Sequence, residues 1–154
     1  RFEPIDWTMS ADGGATPEID RGVLETVRDR LRTAPQIETA VIDVADGQTR
    51  LEATLVAAAT PAEIDRRFLD IRWYTNGDFR IHYQEDWPEG TWRQRWDRHP
   101  NDHNERDHLH PPPDTATPGE DRTWPATFQA VLRLVVDGVR TRTYSLWEAV
   151  DDTR

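Results

Sequence analysis

The chain has 154 residues with 36% hydrophobic content, enough for one domain with a modest core. It has no cysteine, which excludes disulfides, thiolate metal sites and cysteine nucleophiles, and no apolar run approaches the roughly 20 residues of a membrane helix. All 19 basic residues are arginine, set against 29 acids for a net charge of -10, a surface of hydrating carboxylates without lysine stems that reads as adaptation to molar salt.

Residues 1–15 carry no hydrophobic period and are expected to form a loose arm. Thr16-Pro17-Glu18 predicts a helix start, with Thr as N-cap and Pro at the first helical position. Ile19, Val23, Val27 and Leu31 then recur every four residues to about Arg32, ahead of Pro35. Val41-Ile42 and the alternating Leu51, Ala53 and Leu55 flank Asp46-Gly47, a hairpin signal. Thr60-Pro61 with Glu63 fits a capping box and predicts a short helix or turn. Phe68–Tyr74 and Phe79–Gln84 flank Asn76-Gly77, a second hairpin signal, and a loop over 86–90 leads to a strand from Thr91 to about Asp97. Pro111-Pro112-Pro113 and Pro118-Gly119 mark a loop over 111–125, expected to be mobile. Phe128, Leu132, Val135 and Val139 predict a helix over 125–147, while Asp137-Gly138 keeps a rival hairpin reading open. Together these elements predict an α+β fold. It has an antiparallel meander of about five strands, an N-terminal helix and a C-terminal helix, in a single domain over 16–150.

All five histidines lie between positions 82 and 110: His82, His99, His103, His108 and His110. Strand alternation puts Phe79, Ile81 and Tyr83 on one face and Arg80, His82 and Gln84 on the other. In the next strand Trp92 and Trp96 oppose Arg93, Arg95 and Asp97. One polar face is therefore expected to gather Arg80, His82, Arg95, Asp97, His108 and His110. The indoles belong to the core side, and Arg98 and Arg106 read as solvated.

Three readings compete for this face. In the first, histidines act as general base and acid in metal-independent cleavage of RNA, with His82, His108 and His110 as acid–base candidates. Arg80 and Arg95 contact phosphate, and Asp97 orients a histidine. In the second, His99, His103, His108 and His110, with Asp97, hold zinc or manganese in a metal-dependent hydrolase. In the third, the face is non-catalytic and docks another protein. Acidic net charge does not exclude RNA, because at about 1 M salt the Debye length is roughly 3 Å.

The order Phe79-Arg80-Ile81-His82-Tyr83, then Arg95-Trp96-Asp97 with His99-Pro100, then His108-Leu109-His110, resembles the TumE family of toxin components from toxin–antitoxin pairs. The resemblance covers about residues 67–112, and is closer still to the family's haloarchaeal branch. The family's usual loop places its histidines after the proline, whereas here His99 precedes Pro100 and His103 follows it. The resemblance implies a small cytoplasmic toxin acting on RNA as an endoribonuclease. It also implies an HTH-type antitoxin partner. The RNA-cleavage reading needs no cofactor, the lack of a long apolar run leads us to expect no membrane partner, and the sequence is compatible with a homo-oligomer.

Overall fold

In the central strands every second residue is apolar, and that alternation builds a sheet with one greasy and one polar face. The computed structural model describes residues 17–100 and 106–152. Its strands are β1 (Ile37–Ala45), β2 (Gln48–Leu55), β3 (Arg66–Trp73), β4 (Phe79–Trp87), β5 (Gly90–Arg98), β6 (Asp107–His110) and β7 (Glu120–Asp121). They form one sheet in the order β1-β2-β3-β4-β5-β6-β7, each neighbour antiparallel. The greasy face carries Leu51, Ala53, Leu69, Ile71, Phe79, Ile81, Tyr83 and Trp96. Against it pack α1 (Arg21–Leu31), through Leu24, Val27 and Leu31, and α2 (Phe128–Asp152), through Val131, Leu132, Val135 and Val139. The architecture is α+β, with a seven-stranded meander and two helices among the described residues.

Both hairpin signals fall at turns. Asp46 (φ 53°) and Gly47 (φ 76°) are both left-handed, the requirement of a two-residue turn that follows the strand twist. Between β3 and β4 only Gly77 (φ 87°) is left-handed, and the turn is longer. There Tyr74 N–H donates to Asp78 O at 2.8 Å and Gly77 N–H to Tyr74 O at 3.0 Å.

Three expectations are corrected. The sheet has seven strands rather than about five. β6 and β7 are four and two residues long, lie among prolines and acids, and have too little alternation to show in sequence. They are added by pairing outward from β5. Secondly, α1 begins after Asp20, whose side chain accepts from Val23 N–H at 3.1 Å. Residues 18–20 stay extended because they bond the β3–β4 turn: Asp20 N–H donates to Trp73 O at 2.8 Å and Thr75 N–H to Glu18 O at 2.8 Å. The expected cap, Thr16, and the expected arm over 1–15 lie outside the described residues. Thirdly, Arg98 is not solvated. Its guanidinium pairs with Asp107 at 2.8 Å and donates to the carbonyls of Trp124 and Pro125, whereas Arg106 is exposed while it pairs with Asp78.

Phe128–Asp152 is one continuous helix, so the hairpin alternative for Asp137-Gly138 falls. A Cβ on Gly138 would come within 3.3 Å of the Trp96 ring, so the glycine there serves close packing of α2 on β5 and not a turn. No helix among the described residues is long and apolar enough to cross a membrane.

Candidate functional site

The polar face is laid out by register. One cross-strand row runs Glu52, Asp70, His82, Arg95, His110, each paired with the next across β2 to β6. The neighbouring row runs Arg72, Arg80, Asp97, His108, Asp121 across β3 to β7. Arg80, His82, Arg95, Asp97, His108 and His110 therefore share one face, and all but Arg95 are buried. His99 joins them from the end of the β5 segment, and His103 lies outside the described residues.

Asp97 is the hub. Its Oδ2 accepts from Arg95 Nε at 3.1 Å and lies 3.4 Å from His99 Nε2, 3.5 Å from His108 Nε2 and 3.2 Å from His110 Nε2. Burial opposes its charge, but Arg95 and the three imidazoles outweigh that and hold the carboxyl well below the usual carboxylate range. The rings pack edge to face, His99 on His108 at 4.8 Å between centroids and His108 on His110 at 5.0 Å. Each ring turns its other nitrogen to a main-chain carbonyl: His99 to Pro100 at 3.0 Å, His108 to Arg106 at 3.2 Å and His110 to Ala116 at 3.0 Å. The register that makes this possible is clamped from outside. Arg98 holds Asp107, Trp124 N–H donates to Asp107 at 2.7 Å, and Trp124 Nε1–H donates to Asp97 O at 2.9 Å.

The other end of the face is cationic. Burial works against the charge of Arg80, as does the nearby Arg95, while Asp97 and Asp70 favour it. Burial also pushes His82 down to about 3, helped by Arg95, Arg80 and Arg93 and opposed by a hydrogen bond with Gln84. His82 Nε2 meets Gln84 Oε1 at 3.0 Å. Because that amide oxygen only accepts, Nε2 carries the hydrogen and Nδ1 is left as the basic nitrogen. A carboxylate, three imidazoles and buried guanidinium groups on one face can move protons and hold an anion. Asp97, His99 and His108 also bring ligand atoms within 4.8 Å of one another, which suits a metal ion.

Asp70 and Arg72 escaped the sequence reading although they belong to the face. Asp70 accepts from Arg50 at 2.9 Å and from Arg72 at 3.2 Å, and it pairs in register with His82. The signal was available: Phe68, Asp70 and Arg72 alternate with Leu69, Ile71 and Trp73 as the residues of β4 do. Trp96 is buried in the core and Trp92 packs on Tyr83, so both indoles sit on the helix side. On that side a second buried polar cluster forms, in which Arg142 of α2 donates twice to Glu85 at 2.8 Å and Tyr83 donates to the same carboxylate at 2.6 Å.

No curated protein and no solved structure matches the chain. A family model described as Toxin TumE matches residues 24–143, from the first turn of α1 well into α2 and across the whole polar face. On that match, which takes in most of the sequence, the chain belongs to the TumE toxin family.

Proposed function

We propose that this toxin acts on RNA as a metal-independent endoribonuclease, in the cytoplasm, and that an HTH-type protein neutralises it. Membership of a toxin family implies an antitoxin partner. The observation that carries the catalytic reading is the row His82–Arg95–His110, a guanidinium flanked in register by two imidazoles. Neighbouring strands lie about 4.8 Å apart, so a phosphoryl group on Arg95 would have one histidine on either side.

His82 is the base in this reading, since its ring is neutral near pH 7 and Nδ1 is the nitrogen that carries the lone pair. It takes the proton of the ribose 2′-hydroxyl. The 2′-oxygen attacks phosphorus and the bond from phosphorus to the 5′-oxygen breaks. His110 in its protonated form gives its proton to the leaving oxygen, and the products are a 2′,3′-cyclic phosphate and a free 5′-hydroxyl. Arg80 and Arg95 neutralise the charge that develops on the phosphoryl oxygens. Asp97 and the Ala116 carbonyl fix the two nitrogens of the acid ring, and His108 packs against it. Burial is the main cause that lowers His82, but an anion between Arg80 and Arg95 would offset the arginines' share of it and make the base stronger when substrate is bound.

The test is cleavage of RNA by the purified chain in high salt with EDTA, beside His82→Ala and His110→Ala. Cleavage to cyclic phosphate ends by the native chain, lost in both variants, is the expected result. Absence of cleavage, or equal cleavage by the variants, overturns the reading.

A further inference from the structure

The ring nitrogens that turn away from Asp97 determine what the others can do. His99 Nδ1 lies 3.0 Å from Pro100 O and His108 Nδ1 lies 3.2 Å from Arg106 O. A carbonyl oxygen can only accept, so both Nδ1 atoms carry hydrogen. In the neutral ring the lone pair is then on Nε2. These Nε2 atoms lie 3.4 and 3.5 Å from Asp97 Oδ2, itself an acceptor when ionised. Each contact with the carboxylate thus needs positive charge, either a second proton on the ring or a metal ion, in a buried spot where Asp97 is 0% and His108 1% exposed.

We propose that Asp97, His99 and His108 form a binding site for a divalent transition-metal ion of the zinc type. Four ligands held tetrahedrally at about 2.0–2.1 Å from zinc lie about 3.3 Å apart. The two observed oxygen–nitrogen separations, 3.4 and 3.5 Å, are near that edge length. All three ligand atoms fall within 4.8 Å of one another. Asp97 Oδ1 is buried without a hydrogen-bond partner among the described residues, so the carboxylate has unused capacity towards a cation. Two imidazoles and one carboxylate suit zinc, cobalt or nickel better than magnesium or calcium, which prefer oxygen alone. The carbonyls on Nδ1 are the outer contacts that orient ligating histidines. Such an ion would tie the end of β5 to β6. His110, which also faces Asp97, stays outside the triad and keeps its own role.

This site does not depend on RNA cleavage, and its test uses none. The chain, stripped with EDTA and desalted, is titrated with cobalt(II) and followed by visible absorption. One equivalent giving the intense bands of low-symmetry cobalt, displaced by zinc, is the expected result. His99→Gln and His108→Ala weaken binding more than about 100-fold, beyond the effect of losing an outer contact, while His82→Ala binds as the native chain does. His99 lies at a strand end and is partly exposed, so His99→Gln tests the ligand without unmaking the fold; circular dichroism checks this. A native chain that binds no cobalt at micromolar concentration, or a His99→Gln variant that binds it undiminished, overturns the proposal.

Discussion

Nε2 of His110 stands 3.2 Å from Oδ2 of Asp97, while Nδ1 of the same ring is held by the Ala116 carbonyl at 3.0 Å. The imidazole is fixed at both nitrogens, by the carboxylate on one side and the carbonyl on the other. Asp97→Asn keeps the size of the side chain and removes the charge. With EDTA present, we expect it to cut RNA cleavage by about 10²–10⁴-fold, the usual range for losing general acid catalysis, and His110→Ala to do the same. If the two act as one device, the double variant is no slower than either single one. Single-turnover rates for the three variants check this, and losses that multiply would show that the pair does not act together.

His82 makes the second prediction. Its folded pKa of about 3 lies below the ordinary histidine value of about 6.5, so between these the unfolded chain binds a proton that the folded chain does not. Stability from this residue is therefore full above about pH 6.5 and falls as pH drops towards 3. The facing groups are Asp70 from β3, Arg93 and Arg95 from β5, and Arg80 and Gln84 from its own strand. Urea midpoints at pH 5 and pH 7.5 should differ, and the difference should shrink in His82→Gln. Sulfate or a mononucleotide, by offsetting the arginines, should raise the His82 value in an NMR titration. A ring that titrates near 6.5 without any anion contradicts both the burial and the proposed field.

How much of this was legible beforehand follows from where side chains alternate. β4 and β5 are nine residues each, and their alternation alone sorted Arg80, His82, Arg95 and Asp97 onto one face. The same alternation places Asp70 and Arg72 on that face, but β3 carries no histidine to mark it. The shared face put Asp97 with His108 and His110, but the convergence of three rings on its one oxygen was not legible. It depends on β6 pairing in one particular register, which is set by Arg98, Asp107 and Trp124, residues far apart in sequence. Arg98 looked solvated because a strand-end arginine shows no sign in sequence of the carbonyls it will meet. The start of α1 was misplaced for a similar reason, since the bonds that keep residues 18–20 extended come from the β3–β4 turn.

Gly119 tests the packing behind the site. A Cβ there would meet the Leu109 carbonyl oxygen at 2.6 Å and the His108 ring at 3.3 Å. Backbone cannot yield as a flexible side chain can, so Gly119→Ala should push the connection after β6 away from the strand. We expect a loss of about 1–3 kcal/mol, as for overpacking, together with weaker cobalt binding, because His108 is displaced. Gly138→Ala meets only the Trp96 ring at 3.3 Å and should cost less, leaving the metal titration unchanged. Thermal unfolding and the cobalt titration on both variants separate the two cases, and a Gly119→Ala protein equal to the native one in both would refute the contact.

On the opposite face Glu85 is buried and accepts from Arg142 twice and from Tyr83 and Trp87. Burial raises its pKa, but these partners prevail and hold it below 4.5. Its stabilising contribution is thus present above the unfolded value and is lost as pH falls through the lower folded value. The upper edge of that window, the ordinary carboxyl value of 4.5, lies below the 6.5 that bounds the window of His82. Arg142→Ala leaves the carboxylate buried without its cation, and we expect a cost of about 3 kcal/mol at pH 7, shrinking below pH 4. Chemical denaturation of both proteins at the two pH values measures it. An unchanged midpoint at pH 7 would mean that α2 does not need this pair.

The acidic surface supplies the last prediction. With 29 acids and a net charge of -10, carboxylates repel one another at low ionic strength, and the interaction length is roughly 10 Å at 0.1 M but only about 3 Å at 1 M. We propose that the chain is adapted to molar salt. Some of its ion pairs, such as those of Asp97 and Glu85, have a buried carboxylate and are therefore poorly screened. Salt should weaken the surface repulsion far more than it weakens these pairs. Melting temperature is accordingly expected to rise steadily from 0.1 to about 2 M potassium chloride, and Arg142→Ala should show the same slope from a lower start. A melting temperature that is flat or falls over this range would contradict the adaptation, because repulsion would then not be the term that salt relieves.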